Sequence, residues 1–187
     1  MAEIQQAHPH DVVELWTMDE HRIGLKPILR RVWARRGQRP IAPVHHRYQW
    51  MYLNAFVQPL TGQTEWQLWP TVRTDVFRLI LADFAQQVGA GHGKQVALVL
   101  DQAGWHTSHD LPVPPGIHLI FLPSHSPELQ PAERLWPLTN EPLANRTFQD
   151  LDELEEVQSA RCLILQATPD LIRRYTLYHW WPGATPI

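Results

Sequence analysis

Cysteine is almost absent from this 187-residue chain, in which Cys162 stands alone. A single thiol excludes an internal disulfide and any zinc cage built from cysteines. Long apolar runs are missing as well, and none approaches the roughly 18 residues that a membrane-spanning helix needs. The start, "MAEIQQAHPHD", is polar and acidic and does not resemble a signal peptide. A cytoplasmic protein with no membrane contact is therefore expected. There is no internal repeat and no low-complexity linker, and the seventeen prolines are spread along the chain. Nor does either charge sign dominate: the net charge is −3, so the chain as a whole is not a generic binder of polyanions. What remains is ordinary globular composition, 44% apolar and 19% charged, at a length that suits one domain with a sizeable core.

The charge is unevenly distributed. Eight of the sixteen lysines and arginines lie between Arg22 and Arg47, with no acid among them, whereas residues 150–156 are acidic. Such asymmetry points to a polyanion held on one face. Arginine outnumbers lysine there and Trp33 is interleaved, a combination that favours phosphate contact. Arg22, Lys26, Arg30, Arg31, Arg35, Arg36 and Arg39 are the candidate phosphate-facing residues, on a basic hairpin insertion expected at about residues 26–47. The competing reading is a solvated basic hairpin.

Hydrophobic periodicity supplies the elements. "VVELWTMD" alternates as a half-buried strand, with Val13, Leu15, Thr17 and Asp19 on one face. "HRIGLK" reads as a second strand, and "YQWMYLNAFV" and "TEWQLW" as two more around the turn "QPLTG". From Asp75 to Val88, apolar residues at Val76, Phe77, Ile80, Leu81, Phe84, Ala85 and Val88 mark an amphipathic helix that Gly89 is placed to stop. "QVALVLD" is a continuous apolar run, as in a strand covered on both faces, and "IHLIFL" is another strand. A helical stretch follows Pro131, and Thr147 opens "TFQD", a capping-box-like start for a helix through about Gln166. Strands followed by alternating helices and strands predict an α/β fold with a mixed sheet whose middle strands are parallel.

Three carboxylates stand out. Asp19 closes the first expected strand, Asp101 closes the most apolar one, and Glu133 lies between two prolines and a Leu-Trp pair in "HLIFLPSHSPELQPAERLW". Each has a plain structural reading. An Asp at a strand end caps a turn, and Glu133 behind Pro131 suits the first turn of a helix, where the dipole favours an anion. Together, on separate elements, they form an oxygen-ligand set suited to Mg²⁺ or Mn²⁺. Two such ions would activate a hydroxyl on one side of a phosphodiester and stabilise the leaving oxygen on the other.

"TMDEHRIGL", "LVLDQAGWHTS" and "LPSHSPELQPAERLW" resemble the three catalytic blocks of the DDE transposases, most closely the bacterial insertion-sequence group related to the mariner transposons. The resemblance runs from about Val12 to the terminal "YHWW". Its third block is the specific one, with Ser-Pro-Glu-Leu, Pro-x-Glu and Leu-Trp in order, and thirty-one residues separate Asp101 from Glu133. The resemblance implies a ribonuclease H-like mixed sheet flanked by helices. It also implies two divalent metals, Mg²⁺ or Mn²⁺, on the triad Asp19, Asp101 and Glu133. The activity it implies is hydrolysis at transposon ends followed by strand transfer into target DNA. The departures are Gln102 where Asn is usual, His125 where Tyr is usual, and Pro137, which predicts a break in the helix after Glu133.

The resemblance also sets expectations about partners. DNA is the first, in the form of element ends and target. Ahead of Val12 stand eleven residues, too few for a helix-turn-helix module. End recognition is therefore expected from an upstream reading frame, supplied separately or joined by frameshifting, with a homodimer as a further arrangement and the nucleoid as the place of action. The eleven histidines add less. His45 and His46 would face opposite sides of a strand and share no ion, whereas His106 and His109 beside Asp101 form a polar rim with His106 a candidate for substrate phosphate. Trp105 is a candidate for stacking on an exposed base. Trp16, Trp50, Trp66 and Trp69 are expected in the core, and Cys162 as a small buried residue of a helix.

Overall fold

In the computed structural model, residues 1–41 and 47–184 are described; His45 and His46 lie outside them. Five strands form one sheet: β1 (Val12–Gly24), β2 (Trp50–Gln58), β3 (Gln63–Trp69), β4 (Lys94–Leu100) and β5 (Ile117–Phe121), in the order β3-β2-β1-β4-β5. β2 runs antiparallel to both β1 and β3, and β1, β4 and β5 run parallel to one another. The mixed sheet with a parallel middle is the one expected. The two strands read from "VVELWTMD" and "HRIGLK", however, are one thirteen-residue strand. Its first half pairs with β4 over residues 12–17 and its second half with β2 over residues 17–24, so one strand serves two ladders.

The helices are α1 (Ala2–Ala7), α2 (Thr74–Val88), α3 (Trp136–Thr139), α4 (Leu151–Gln166) and α5 (Pro169–Thr176). Among the described residues no helix is long and apolar enough to cross a membrane. Helix α2 covers one face of the sheet. Its seven buried residues are Val76, Phe77, Ile80, Leu81, Phe84, Ala85 and Val88, and they pack on Trp16, Met18, Phe56, Leu98 and Leu100. These are the seven expected positions. The helix ends where Gly89 takes a left-handed φ of 68°, which costs glycine no Cβ clash.

The other face is covered by a 3-10 helix (Pro131–Leu135) with α3, α4 and α5, whose Ala132, Leu135, Leu165 and Ile172 pack on Ala55 and Val57. The helix expected after Pro131 is thus interrupted. The 3-10 turns give way to α3 at Trp136, and Pro137 sits in the first turn of α3, where its missing N–H costs nothing. The cap of α4 is also displaced from the expected Thr147. Asp150 accepts from the Glu153 N–H at 3.0 Å, and the Glu153 carboxylate accepts from the Gln149 N–H at 2.7 Å. The capping-box logic is right, three residues late.

Between β1 and β2 the described part of the basic segment forms no strand ladder, and residues 42–46 of the expected hairpin lie outside the described residues. Its base is pinned. Ile28 bridges to Ala144, the Ile28 carbonyl accepts from the Asn145 N–H, and Arg47 donates to the Gln149 carbonyl.

Candidate active site

Strand register brings two of the acids together. Thr17 is paired with Val99 in the parallel ladder, so two residues further on Asp19 stands level with Asp101 on the neighbouring strand. Side chains alternate along a strand, and Thr17 and Asp19 share the face opposite α2. Because β4 ends at Leu100, the edge of β1 beyond residue 17 is no longer paired with it. A cleft opens there, at the carboxyl ends of the parallel strands, where ligands of such sheets are held. Asp19 does not close its strand as expected; it lies in the middle of β1, two residues past the point where the strand changes partners.

The third acid arrives through a residue that sequence reasoning missed. Gln130, buried, donates from Nε2 to the Met18 carbonyl at 2.8 Å and accepts from the Thr17 hydroxyl. This amide fastens the start of the Pro131–Leu135 turn to β1, immediately before Asp19. Glu133 is carried into the same cleft, a cavity of about 360 Å³ lined by Asp19, Asp101, Glu133 and residues 122–127. Gln102, the departure from the usual Asn, donates from Nε2 to the Leu122 carbonyl at 2.8 Å and so ties the second block to the third. His125, the other departure, stands in the cleft wall with a left-handed φ of 58°. A non-glycine residue there carries strain on the order of 1–3 kcal/mol, of the kind concentrated at functional sites.

The electrostatics of the cleft suit a cation. Burial pushes the Asp19 carboxyl up to about 7, helped by the adjacent Glu20 and by Glu133, against the hydrogen bond that the Trp136 indole donates at 3.1 Å. Burial also raises Glu133, Asp101 and Glu128 add to the rise, and Arg134 opposes it. Among the described residues no lysine or arginine pairs with any of the three acids. Carboxylates that repel one another around a partly buried cleft fit a hard divalent cation, which prefers oxygen ligands.

Asp101 behaves differently because it has a cationic partner behind it. His106, 2% exposed, sits between two carboxylates, with Nδ1 2.7 Å from Asp101 Oδ1 and Nε2 2.7 Å from Glu20 Oε1. With an acceptor on each nitrogen, both carry protons. Burial opposes that charge, but the bonds to Asp101 and Glu20 overcome it and push His106 up to about 9. The His106 bond holds Asp101 below the usual carboxylate range despite partial burial. Glu20, Asp101 and His106 have ligand atoms within 4.8 Å of one another and so resemble a metal site. The imidazolium already supplies the cation in that group, so the cleft on the other side of Asp101 is the better place for a metal.

Several expected contacts move inward. Trp105 donates to Glu20 at 2.9 Å and packs against the core, so its indole is not free for a base. His106 is buried against Phe77 (ring centroids 4.4 Å) and cannot meet substrate phosphate. Arg30 donates to the Pro137 carbonyl at 2.9 Å, while its backbone exchanges hydrogen bonds with the Asn145 side chain. It anchors the basic segment. Lys26, Arg31, Arg35, Arg36 and Arg39 are exposed, and no carboxylate pairs with them among the described residues. Trp16 is in the core as expected, but Trp50 is 44% exposed and Arg22 lies over its ring at 5.4 Å. His109 is exposed. Cys162 is buried in α4, and burial pushes its thiol up to about 12, which removes it as a nucleophile.

Comparison with known proteins gives the family and the fold. The profile of a family described as DDE superfamily endonuclease matches residues 14–155. An uncharacterized protein of Sinorhizobium fredii, y4pE/y4sA, is 38% identical over 106 residues, which are 56% of this chain and 77% of that protein. Two solved structures of the Mos1 transposon system share the fold. The Mos1 strand transfer complex aligns at 14% identity and a TM-score of 0.56, covering 95% of this chain and 59% of that one. The Mos1 mariner paired-end complex with Mn aligns at 15% identity and a TM-score of 0.59, covering 88% and 56%. This chain therefore spans a little over half the length of the Mos1 chains it matches.

Proposed function

The chain belongs to the family of DDE superfamily endonucleases, and from that premise we propose that it is the catalytic part of a transposase, with Asp19, Asp101 and Glu133 as its metal-binding triad. The observation that carries the reading is the convergence of three acids from β1, the end of β4 and the Pro131–Leu135 turn on one cleft. Two divalent cations, Mg²⁺ or Mn²⁺, held there would activate water or a 3′-hydroxyl and stabilise the leaving oxygen of a phosphodiester. The chain's own residues set the geometry for that chemistry. Trp136 orients Asp19 through its indole N–H, His106 orients Asp101 from behind, and Gln130 holds the turn that carries Glu133. The Mos1 complexes, one of them with Mn and one a strand transfer complex, are consistent with the same chemistry and with DNA as substrate.

Nicking of supercoiled DNA is the direct test. The wild-type chain is expected to nick with Mg²⁺ or Mn²⁺ and not in EDTA, and Asp101→Ala to lose nicking while remaining folded. Residues acting as a unit are non-additive, so the single loss should approach the loss of all three. Substantial residual nicking by Asp101→Ala overturns the assignment. A labelled 3′ end joined to target DNA distinguishes a transposase from a nuclease without strand transfer.

The basic segment is the proposed DNA-facing surface, now without Arg30. Replacing Arg31, Arg35 and Arg36 by glutamine should weaken binding similarly for unrelated sequences. Each lost phosphate contact lowers the slope of log affinity against log salt by about one, so the triple change should lower it by up to about three. An unchanged slope would make the segment a solvated loop.

A further inference from the structure

We propose that the cleft at the far end of β1 is a nucleotide pocket, which takes one unpaired base of the strand being cut on Trp50 and Tyr48 and its phosphate on Arg22 and Lys26. The proposal rests on the DNA-cleaving reading above and adds to it a site for an unstacked nucleotide.

The cavity has a volume of about 500 Å³, within the range of small-ligand pockets. Arg22, Lys26 and Arg47 line it, and none of its lining residues is acidic. Such a wall is complementary to a phosphate and repels a carboxylate-rich partner. The aromatic side chains supply what phosphate binding does not need. Tyr48 is 78% exposed and Trp50 44% exposed, and Arg22 braces the indole by a cation–π contact. Flat exposed rings beside guanidinium groups are the chemistry that holds unstacked bases. A base inside a duplex has both faces covered by its neighbours, so only an unpaired or extruded nucleotide presents itself to such a pocket.

The sequence builds this place deliberately at Gly24. A Cβ there would lie 2.4 Å from the Gln49 carbonyl oxygen and 3.1 Å from Trp50 Cα, so only glycine lets the returning chain close the pocket floor. The pocket also adjoins the carboxylates. His21 lines it, stacks on Trp136 with centroids 4.8 Å apart, and Trp136 donates to Asp19. Arg22 lies three residues along β1 from Asp19, about 10 Å at the rise of a strand, and because side chains alternate it projects from the opposite face. A DNA strand in the carboxylate cleft reaches the pocket by way of His21, which shares the face of Asp19, across the edge of β1 that β4 leaves unpaired.

The test is a binding titration of the full chain in EDTA, so that no cleavage intervenes. The probes are a 12-nucleotide single strand, a blunt duplex, and the duplex with a short single-stranded overhang. Trp50→Ala is expected to weaken the single strand and the overhang roughly tenfold or more, and the blunt duplex by less than about twofold. Trp50→Phe should restore most of the loss. An abasic site scanned through the overhang should weaken the wild type at one position and leave Trp50→Ala indifferent there. Arg22→Gln, read on the same probes, covers the case in which Trp50→Ala does not fold, and should reproduce the preference for unpaired DNA in its loss. Equal weakening of all three probes, or none, alongside intact DNA binding overturns the pocket and leaves the cleavage reading standing. A wild-type chain that binds no DNA in any form overturns both.

Discussion

Replacing Asp19 by asparagine should raise the melting temperature of the metal-free protein by about 5–10 °C at pH 8 while abolishing cleavage. The two effects have one cause. Burial, with Glu20 and Glu133 nearby, holds the Asp19 carboxyl at about 7 against an ordinary value of 3.8. That is a shift of about three units at 1.36 kcal/mol each, and the remaining solvent contact of the cleft brings the penalty to about 2–4 kcal/mol. In a domain of this size each kcal/mol moves the melting temperature by about 2–4 °C. A raised carboxyl costs nothing below pH 4, where folded and unfolded states both carry the proton. The cost grows as pH rises from 4 to 7 and is constant above. The advantage of Asn should therefore vanish near pH 4, increase to pH 7 and then level off. Mg²⁺ should raise the melting temperature of the wild type and much less that of Asp19→Asn, because a ligand that binds only the folded state stabilises by mass action. A variant no more stable than wild type at pH 8, with the same response to Mg²⁺, would remove Asp19 from the metal site.

His106 carries the second large effect, and its pH dependence runs through a different window. The imidazolium lies at about 9, above the ordinary 6.5, because Asp101 and Glu20 each accept from it in spite of burial. A base raised in the folded state contributes stability that is complete below about pH 6.5 and lost as pH rises through about 9. The wild type should accordingly lose up to about 3 kcal/mol between those values. In His106→Gln that decline should be absent. His106→Ala leaves Glu20 as an uncompensated buried charge, a loss on the order of 3–5 kcal/mol, and Gln should recover part of it by donating to one carboxylate. Cleavage should fall as well, because Asp101 loses the group that fixes its orientation and a displacement on the order of 1 Å can cost about a hundredfold. The measurements are thermal melts from pH 6 to 10 and single-turnover cleavage at saturating DNA. Unchanged single-turnover rates in His106→Gln would reduce His106 to a structural residue.

Both predictions concern residues whose legibility in the sequence was unequal. Asp19 and Asp101 stood out as acids at the ends of apolar patterns, and the register of β1 with β4 explains why that signal works. An acid past the end of a buried parallel strand has nowhere to go but the opening between strands. Glu133 was legible through the Ser-Pro-Glu-Leu and Leu-Trp context. Glu20, Gln130 and Trp136 were not, because each acts through a partner more than 80 residues away in sequence: His106, Met18 and Asp19. Adjacency to a catalytic candidate was the signal available for Glu20. Trp105 and His106 were read in the wrong direction for the same reason. A polar residue beside a catalytic acid faces either the substrate or the scaffold, and only the packing of Phe77 on α2 against the His106 ring decides which.

Local chemistry determined what short-range rules govern. The seven buried positions of α2 follow from the 3.6-residue period, its end at Gly89 from the left-handed conformation that glycine adopts freely, and the buried strand β4 from a run of apolar residues with no polar face. Tertiary structure decided whatever depended on which segments meet. It joined two expected strands into one because the chain from Thr17 onward gains a new neighbour, β2, as it loses the old one, β4. It turned Trp50 outward, tied Arg30 to the Pro137 carbonyl, and placed a buried imidazolium behind Asp101. Periodicity reports only that a residue has a face. Which partner covers that face is settled by contacts distant in sequence, and those arise only when the sheet closes.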